Sequence, residues 1–260
     1  MLTSFLQGGL GNQLFQIAAT LAVSVESGHA VVFNTANHDL PKQGRPCEKY
    51  IKTIFRNLNF SSEAAVSTDH LYHEPYFHYK KIPPLSGNTC LIGYFQSERY
   101  FEKYSSYIRK VFSIDEITKK KINEKYSEVL VKNPIAIHVR RGDYLQFSDT
   151  HPPCKMEYYM AAIKEFPDNS NFLVFSDDIA WCKEKFVGRE YIFSENNEDL
   201  VDFYLISLCS GAIISNSSFS WWASWLGETN NKKIIAPKNW FGESVKFDTR
   251  DLLPSRWKII

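Results

Sequence analysis

Apolar side chains near the start of the chain follow first a strand pattern and then a helix pattern. Residues 3–6 form a short apolar run, and in residues 12–27 the apolar positions recur every three or four residues, which predicts a helix. Gly28 stands where this helix should end, and residues 30–34 form a second apolar run. This order predicts a strand–loop–helix–strand unit that opens an α/β sheet.

The pattern is weaker in the middle of the chain. Residues 39–88 contain several Pro and His residues and are predicted to be connecting segments with one helix near residues 48–58. Residues 91–95 are predicted to form a strand. Residues 97–130 are predicted to be mostly helical, with a break near Ser113.

Beyond Pro134, strand and helix patterns alternate. The predicted strands are residues 135–139, 171–175, 191–193, 212–215 and 233–236. The predicted helices are residues 155–166, 179–186, 198–209 and 219–226. This alternation favours a parallel sheet with right-handed crossovers. The expected fold class is α/β, with two Rossmann-like halves, residues 1–130 and 131–260, and mainly parallel sheets.

Composition and charge narrow the classes of partner. Hydrophobic residues make up 44% and charged residues 23% of the chain, which is ordinary for a soluble globular protein. The formal net charge of +1 gives no overall field that would attract nucleic acid or an anionic membrane. No nucleic-acid partner is therefore expected, and any anionic ligand must be held by a few local groups.

Cysteine usage and hydropathy bear on the compartment. The five cysteines are widely spaced and form no CxxC or Cys/His metal pattern, which favours reduced thiols in the cytoplasm. The chain has no run of 18 apolar residues and no basic region before its first apolar run. The sequence therefore predicts neither a membrane span nor a signal peptide.

The first motif that could bind a ligand is Gly-Gly-Leu-Gly-Asn-Gln at residues 8–13. Glycines allow a phosphate to approach the backbone, and the following helix N-terminus offers free N–H groups. The dinucleotide fingerprint is incomplete, because Leu14 fills the third glycine place and no acidic residue closes the second predicted strand, where Asn34 is followed by Thr35. A tight turn without a ligand is the structural alternative. The candidate binding residues here are Gly9, Gly11, Asn12 and Gln13.

The second motif is His-Val-Arg-Arg-Gly-Asp-Tyr at residues 138–144, at the end of a predicted strand. Arg140 and Arg141 should point to opposite faces of the strand, so one of them is expected to enter a cleft. A guanidinium matches a pair of phosphate oxygens and would stabilise a diphosphate that gains charge as it leaves. An ordinary Arg–Asp ion pair at the strand end is the alternative.

The third motif is Phe-Ser-Asp-Asp at residues 175–178, again at a strand end. Asp177 and Asp178 could bind a metal or accept hydrogen bonds from a nucleotide. They could equally cap the following helix. A metal site would need more oxygen ligands than this segment offers, so no metal is expected.

The fourth motif is Ser-Asn-Ser-Ser-Phe-Ser-Trp-Trp at residues 215–222, between a predicted strand and helix. Its hydroxyl groups and the helix N–H groups make a second candidate anion site. The candidate binding residues are Asn216, Ser217, Ser218, Phe219 and Trp222. Trp225, on the same helical spacing, is expected to lie in the core. Asp202, one turn into the preceding helix, could bind a guanine edge or simply face water.

Together these motifs resemble those of glycosyltransferase family 11, the α-1,2-fucosyltransferases, in its bacterial type. The matching segments are Gly-Gly-Leu-Gly-Asn-Gln-Leu-Phe-Gln, His-Val-Arg-Arg-Gly-Asp-Tyr, Phe-Ser-Asp-Asp and Ser-Asn-Ser-Ser-Phe-Ser-Trp-Trp-Ala-Ser-Trp-Leu. They occur in the family's order between residues 8 and 226. Four motifs in register make the assignment specific, although each motif alone is not.

The resemblance implies a GT-B-like fold of two facing Rossmann-like domains, with the acceptor on the N-terminal side and the donor on the C-terminal side. It implies GDP-β-L-fucose as donor, inversion, no metal or other cofactor, and a galactose-terminated glycan as acceptor, linked through its 2-hydroxyl. By the same resemblance Arg140 holds the β-phosphate and Asp202 reads the guanine. Ser217, Ser218 and Phe219 would line the diphosphate site.

Asp143 is the favoured general base, because it lies just past the strand tip on the side of the expected cleft. His138 is the alternative, since its unperturbed pKa suits a base. Each residue could instead be structural, with Asp143 orienting Arg140 and His138 binding the donor.

Three other interpretations stay open at this point. One is a non-catalytic nucleotide- or glycan-binding protein, and another is an NAD-dependent enzyme, which the missing acidic residue disfavours. The third is a fucosyltransferase of α-1,3 or α-1,6 linkage. The expected location is the cytoplasm, and the sequence is compatible with peripheral association with the inner membrane without demanding it.

Overall fold

The computed structural model describes residues 1–35, 46–61 and 68–260 of the protein. These residues form two compact units, which are described separately below. The first unit comprises residues 1–115 and 247–254, and the second comprises residues 116–246 and 255–260.

The division between the units precedes the helix Glu116–Leu130, whereas the sequence suggested a boundary after residue 130. This helix belongs to the second unit through its side chains. Tyr126 shares a hydrogen bond with Ser194 (Oη to Oγ, 3.2 Å), and Lys121 forms an ion pair with Glu198 (2.7 Å).

The first unit contains short parallel strands. They are β1 (Leu2–Ser4), β2 (Phe33–Asn34), β3 (Phe60–Ser61), β4 (His70–His73) and β5 (Thr89–Ile92). β5 lies between β1 and β4, and β2 pairs with β3. A bridge from Leu2 to Val31 connects β1 to the chain that enters β2. The strands therefore follow the order β3-β2-β1-β5-β4.

Two α-helices of the first unit are α1 (Leu10–Ser27) and α2 (Ser105–Val111). α1 begins inside the glycine-rich segment, two residues earlier than predicted. It ends at Gly28, whose φ of 73° is left-handed and whose N–H donates to the Ser24 carbonyl. The prediction that this glycine terminates the helix is confirmed.

The second unit is built on one six-stranded parallel sheet. Its strands are β6 (Ile135–Val139), β7 (Phe172–Ser176), β8 (Tyr191–Phe193), β9 (Gly211–Ile213), β10 (Ile234–Ala236) and β11 (Lys258–Ile259). Its helices are α3 (Glu116–Leu130), α4 (Met156–Ile163), α5 (Ile179–Lys185), α6 (Asp199–Leu208) and α7 (Ser218–Leu226). The strand order is β11-β10-β9-β6-β7-β8.

This order is that of a doubly wound sheet, in which the chain starts at the centre, builds one half and then returns to build the other. β6 and β9 are the two central strands, and the strand order reverses between them. β6 is buried along its whole length, as expected for the middle of a sheet covered by helices on both faces.

Tryptophan side chains support α7. Trp221, Trp222 and Trp225 are fully or almost fully buried, and the Trp221 ring centroid lies 5.4 Å from that of Trp257. The expected core position of Trp225 is confirmed. These buried rings anchor α7 in the core of the second unit and so fix the position of its N-terminal end.

Pattern and structure agree best beyond Pro134, where the predicted elements are present with bounds shifted by a few residues at most. The middle of the chain differs. The predicted helix at residues 48–58 is a 3₁₀ turn, Cys47–Tyr50, followed by further turns. The short strands β3 and β4 were not predicted, nor was β11. Residues 36–45 and 62–67 lie outside the described ranges.

Among the residues that the structure describes, no helix combines the length and apolar character needed to cross a bilayer.

Candidate active site

The second, third and fourth motifs of the sequence all follow strands of the second unit. Residues 140–144 follow β6, Asp177 and Asp178 follow β7, and residues 214–217 connect β9 to α7. Because β7, β6 and β9 are adjacent and parallel, these segments lie at the same edge of the sheet. Ligands of open parallel sheets bind at this edge, at the point where the strand order reverses.

Arg140 is held by two carboxylates. Its Nη2 donates to Oδ1 of Asp143 at 2.7 Å, and its Nη1 lies 3.0 Å from Oδ2 of Asp177. The Arg140 side chain is 36% exposed, so it is accessible to a ligand while its orientation is fixed. The guanidinium also lies 5.5 Å from the centroid of the Tyr144 ring.

Arg141 faces different partners, as expected for adjacent residues at the end of a strand. Its Nε donates to Oδ2 of Asp178 at 3.0 Å, and its guanidinium lies 4.0 Å from the centroid of a Trp181 ring. Asp178 also caps α5, since its Oδ1 accepts from the Trp181 N–H. In this structure Arg141 and Asp178 connect β6 to α5.

Asp177 joins the two strand ends. Its Oδ1 accepts from the Arg141 backbone N–H at 2.9 Å, while its Oδ2 pairs with Arg140. A Cβ atom on Gly142 would lie 2.6 Å from that Oδ2, so glycine leaves room for the carboxylate at this point. Asp177 therefore positions Arg140 with both of its oxygens engaged.

His138 lies in β6, two residues before Arg140. It is buried, its Nδ1 lies 2.8 Å from the Ser215 hydroxyl, and its ring packs against Phe219 at 5.6 Å. Burial, together with the positive charge of Arg140, lowers the pKa of His138 to about 3. The imidazole is therefore neutral at physiological pH.

We expect His138 to make the stability of the protein depend on pH. Between the ordinary histidine pKa of about 6.5 and the value of about 3 in the folded state, only the unfolded chain takes up this proton. The free energy of unfolding should therefore fall as the pH is lowered through this window. His138→Gln should remove up to about 1.4 kcal/mol per pH unit of that slope.

Urea unfolding of both proteins at pH 4.5, 5.5 and 7 measures this difference. Parallel pH dependences would show that the proton affinity of His138 is the same in the folded and unfolded states.

The N-terminus of α7 completes this group. Ser217 is the N-cap residue, with extended backbone, and Ser218 is the first residue of the helix. The free N–H groups of this first turn follow β9, the neighbour of β6. Trp222, a predicted ligand contact, is fully buried against Trp221 and Trp225 and packs here as a core residue.

Tyr144, which was not a candidate residue in the sequence analysis, takes part in this arrangement together with the candidate Asn216. The Tyr144 hydroxyl donates to the Asn216 carbonyl at 3.0 Å, and its ring lies near both Arg140 and His151. The Asn216 side chain donates to the carbonyls of Pro152 and Trp240. The only sequence signal for Tyr144 was its position as the last residue of the arginine motif.

Asp202 belongs to a separate group of polar residues in the first turn of α6. Its Oδ1 accepts from the Ser194 hydroxyl and from Nδ2 of Asn197, both at 2.7 Å. Burial raises the pKa of Asp202, against the opposing effect of these hydrogen bonds. Asn197 and Ser194 also contact Tyr126 of α3.

The glycine motif lies in the first unit, between β1 and α1. Gly8 has a left-handed φ of 77°, and Gly9 is the N-cap of α1, so Gly11 falls in the first turn. Nε2 of Gln13 donates to the Gly8 carbonyl at 3.0 Å. Oδ1 of Asn12 accepts from Nε2 of Gln96 at 2.9 Å, which ties the turn to the segment after β5. Both side chains stabilise the turn.

Comparison with known proteins adds independent findings. The model of the family described as glycosyl transferase family 11 matches residues 1–259. An alpha-1,2-colitosyltransferase from Escherichia coli is 32% identical, with 97% of this chain and 96% of the relative covered. The O-antigen biosynthesis glycosyltransferase WbnK from Escherichia coli is 28% identical, with coverages of 94% and 96%.

Among solved structures, fucosyltransferase NodZ from Bradyrhizobium has a similar fold. Its TM-score is 0.54 at 14% sequence identity, and the match covers 85% of this chain and 91% of NodZ. This likeness supports the α/β architecture with mainly parallel sheets. The family match extends over nearly the whole chain, and the chain belongs to glycosyl transferase family 11.

Proposed function

We propose that the protein is an inverting, metal-independent glycosyltransferase that moves L-fucose from GDP-β-L-fucose to the 2-hydroxyl of a terminal β-galactoside. The observation that carries the proposal is the placement of Arg140. It is an accessible guanidinium, fixed by two carboxylates, at the point of the parallel sheet where anionic ligands bind. In this GT-B-like scheme the second unit binds the donor and the first unit binds the acceptor.

Arg140 and the N-terminus of α7 would act on the leaving group. When the bond between the sugar and the diphosphate breaks, negative charge grows on the diphosphate oxygens. A guanidinium and the first N–H groups of a helix stabilise that charge, and fixed donors do so without reorganising during the reaction. Asp177 and Asp143 contribute by holding the guanidinium in place.

A carboxylate would accept the proton of the attacking hydroxyl. Asp143 is the base in this proposal, because it is more than half exposed and lies directly beside Arg140. His138 is less suited, since it is buried and its pKa of about 3 makes it a weak proton acceptor. His138 would instead support Ser215 and Phe219 beneath the donor.

Asp202 would recognise the base of the nucleotide. A carboxylate can accept two hydrogen bonds from the N1–H and N2–H groups of guanine, and Asp202 is already oriented by Ser194 and Asn197. The same carboxylate would disfavour adenine, which presents no such pair of donors.

The test measures GDP release from GDP-fucose in the presence of EDTA and a panel of β-galactosides. We expect release that requires a galactoside, persists in EDTA and yields a product with an α-1,2 linkage by NMR. Release without any galactoside, or release abolished by EDTA and restored by Mg²⁺, would contradict the proposal. A product with an α-1,3 or α-1,6 linkage would support the proposed donor but contradict transfer to the 2-hydroxyl.

A second donor is favoured by one observation, the 32% identity to an alpha-1,2-colitosyltransferase. Colitose is L-fucose without its 3-hydroxyl, so the two donors share the GDP group and differ at one sugar atom. The same assay with GDP-colitose decides between them through the ratio of the two kcat/KM values. A higher kcat/KM with GDP-colitose than with GDP-fucose would make colitose the transferred sugar in the proposal. The proposed leaving-group chemistry would stay the same.

A further inference from the structure

A network of hydrogen bonds connects Asp202 to α3. Its members are Lys125 and Tyr126 of α3, Ser194 and Asn197 in the segment between β8 and α6, and Asp202 in the first turn of α6. Tyr126 and Ser194 are buried, Asn197 and Asp202 are partly exposed, and Lys125 is exposed. These five residues are called the Asp202 network below.

The Asp202 network lies at the same edge of the sheet as the candidate active site. Ser194 comes directly after the carboxyl end of β8, which pairs in parallel with β7. Phe203, the neighbour of Asp202 in the chain, packs against Phe219 with ring centroids 5.3 Å apart, and Phe219 packs in turn against His138. These ring contacts fix the position of α6 relative to the candidate active site.

Lys125 determines which way the Asn197 amide points. Its Nζ donates to the Glu195 carbonyl at 2.6 Å and to Oδ1 of Asn197 at 2.8 Å. Because an ammonium group only donates, the amide oxygen faces Lys125 and the amide nitrogen faces the other members. Nδ2 of Asn197 lies 2.6 Å from the Tyr126 hydroxyl oxygen and 2.7 Å from Oδ1 of Asp202. Lys125 thus orients Asn197 as a donor to Asp202.

The two hydroxyl groups of the network also have a defined direction. An ionised carboxylate only accepts, so the Ser194 hydroxyl donates to Oδ1 of Asp202 at 2.7 Å. Oγ of Ser194 then accepts from the Tyr126 hydroxyl at 3.2 Å, and it also lies 2.7 Å from Nδ2 of Asn197. The Tyr126 hydroxyl therefore fixes the Ser194 proton on its path to Asp202.

The network leaves one oxygen of Asp202 for a ligand. Oδ1 accepts two hydrogen bonds, which uses the two accepting sites of that oxygen. Oδ2 accepts none from the residues that the structure describes, and its two sites suffice for the N1–H and N2–H groups of guanine. Burial raises the pKa of Asp202, while the hydrogen bonds from Asn197 and Ser194 and the charge of Lys125 oppose that effect.

We propose that Lys125 and Tyr126 are positioning residues that make Asp202 selective for guanine, acting through Asn197 and Ser194. The inference rests on the proposed function, in which Asp202 recognises the base. It adds two residues of α3 that lie outside all four sequence motifs, and it assigns base recognition to Oδ2. A carboxylate that is no longer held in place loses part of its contact with guanine, whereas it has no such pair of donors to lose in adenine.

The experiment measures the Kd of GDP and the Kd of ADP by isothermal titration calorimetry in EDTA, without sugar or acceptor. Tyr126→Phe removes one hydroxyl group, and Lys125→Met removes the ammonium group. Lys120→Met is the matched control, because Lys120 is an exposed lysine of α3 that pairs with Glu124 instead. Tyr126→Phe and Lys125→Met are also measured in an Asp202→Ala background.

We expect the wild-type protein to bind GDP more tightly than ADP. Tyr126→Phe and Lys125→Met should each raise the Kd of GDP on the order of 3- to 10-fold, the value of one hydrogen bond, and leave the Kd of ADP unchanged. Lys120→Met should match the wild type. In the Asp202→Ala background neither change should have a further effect, since both act through the missing carboxylate.

An equal rise in the Kd of GDP and of ADP would mean that Lys125 and Tyr126 support the structure of the second unit and not base recognition, and it would overturn the proposal. An unchanged Kd of GDP in both variants would do the same. Lys125 is exposed, so Lys125→Met still decides the question if Tyr126→Phe fails to fold.

Failure of the proposed function has a different signature. A loss of GDP selectivity in both variants, in a protein that transfers no sugar from GDP-fucose, would support the Asp202 network and contradict the proposed reaction. Fucose transfer by a wild-type protein whose variants keep their GDP selectivity would support the reaction and overturn the role of the network. Equal binding of GDP and ADP by the wild-type protein would overturn the network as a source of selectivity.

Discussion

Arg140→Ala is expected to lower kcat by about two to three orders of magnitude, with a much smaller change in the KM for GDP-fucose. Removal of one fixed donor to a developing negative charge costs about this much in other enzymes. The reason is that the charge on the diphosphate is larger in the transition state than in the bound donor, so the lost contact weakens the transition state more. Steady-state GDP release at saturating acceptor measures both constants.

Arg140→Lys is the matched control for this prediction. It keeps the positive charge but cannot contact Asp143, Asp177 and a phosphate through one planar group. We expect it to recover only part of the lost kcat. An Arg140→Ala protein with normal kcat and a raised donor KM would mean that the arginine binds the donor and its transition state equally well.

Asp143→Asn is expected to lower kcat by roughly two to four orders of magnitude, the usual contribution of a general base. The amide oxygen of asparagine can still accept the hydrogen bond from Arg140 that Asp143 accepts in the wild type. The substitution therefore removes proton acceptance while retaining a partner for the guanidinium. Steady-state GDP release at saturating donor and acceptor measures the loss.

Asp177→Asn provides the comparison, because it makes the same chemical change in the other carboxylate that holds Arg140. It should lower kcat much less than Asp143→Asn does. Similar losses of kcat in the two variants would assign Asp143 the positioning role that Asp177 has.

The sequence predicted the second unit well because four of its six strands, β6, β7, β9 and β10, are mostly or fully buried and its elements alternate regularly. β6 is buried throughout and apolar except for His138, and the chemical motifs of this unit stand at the ends of such strands, so their shared sheet edge followed from the alternation alone. The first unit was harder to predict. β4 reads His-Leu-Tyr-His, without a continuous apolar run, and it becomes a strand through its pairing with β5.

The roles of individual side chains depended on contacts that no spacing reveals. Asp177 and Asp178 stand next to each other, yet one pairs with Arg140 and the other caps α5 and contacts Arg141. Phe77 and Phe247 are 170 positions apart, and only the return of the chain to the first unit brings their rings together. Such long-range pairings are set by the tertiary fold.

That return has a consequence for the chain as a polymer. Since residues 247–254 belong to the first unit and residues 255–260 to the second, neither unit is a single continuous stretch of sequence. A fragment ending at residue 246 would lack β11 and Trp257, and the backbone of β10 would become an open sheet edge able to pair with other chains. The last few residues thus protect the nucleotide-binding half, as we propose it to be, from aggregation.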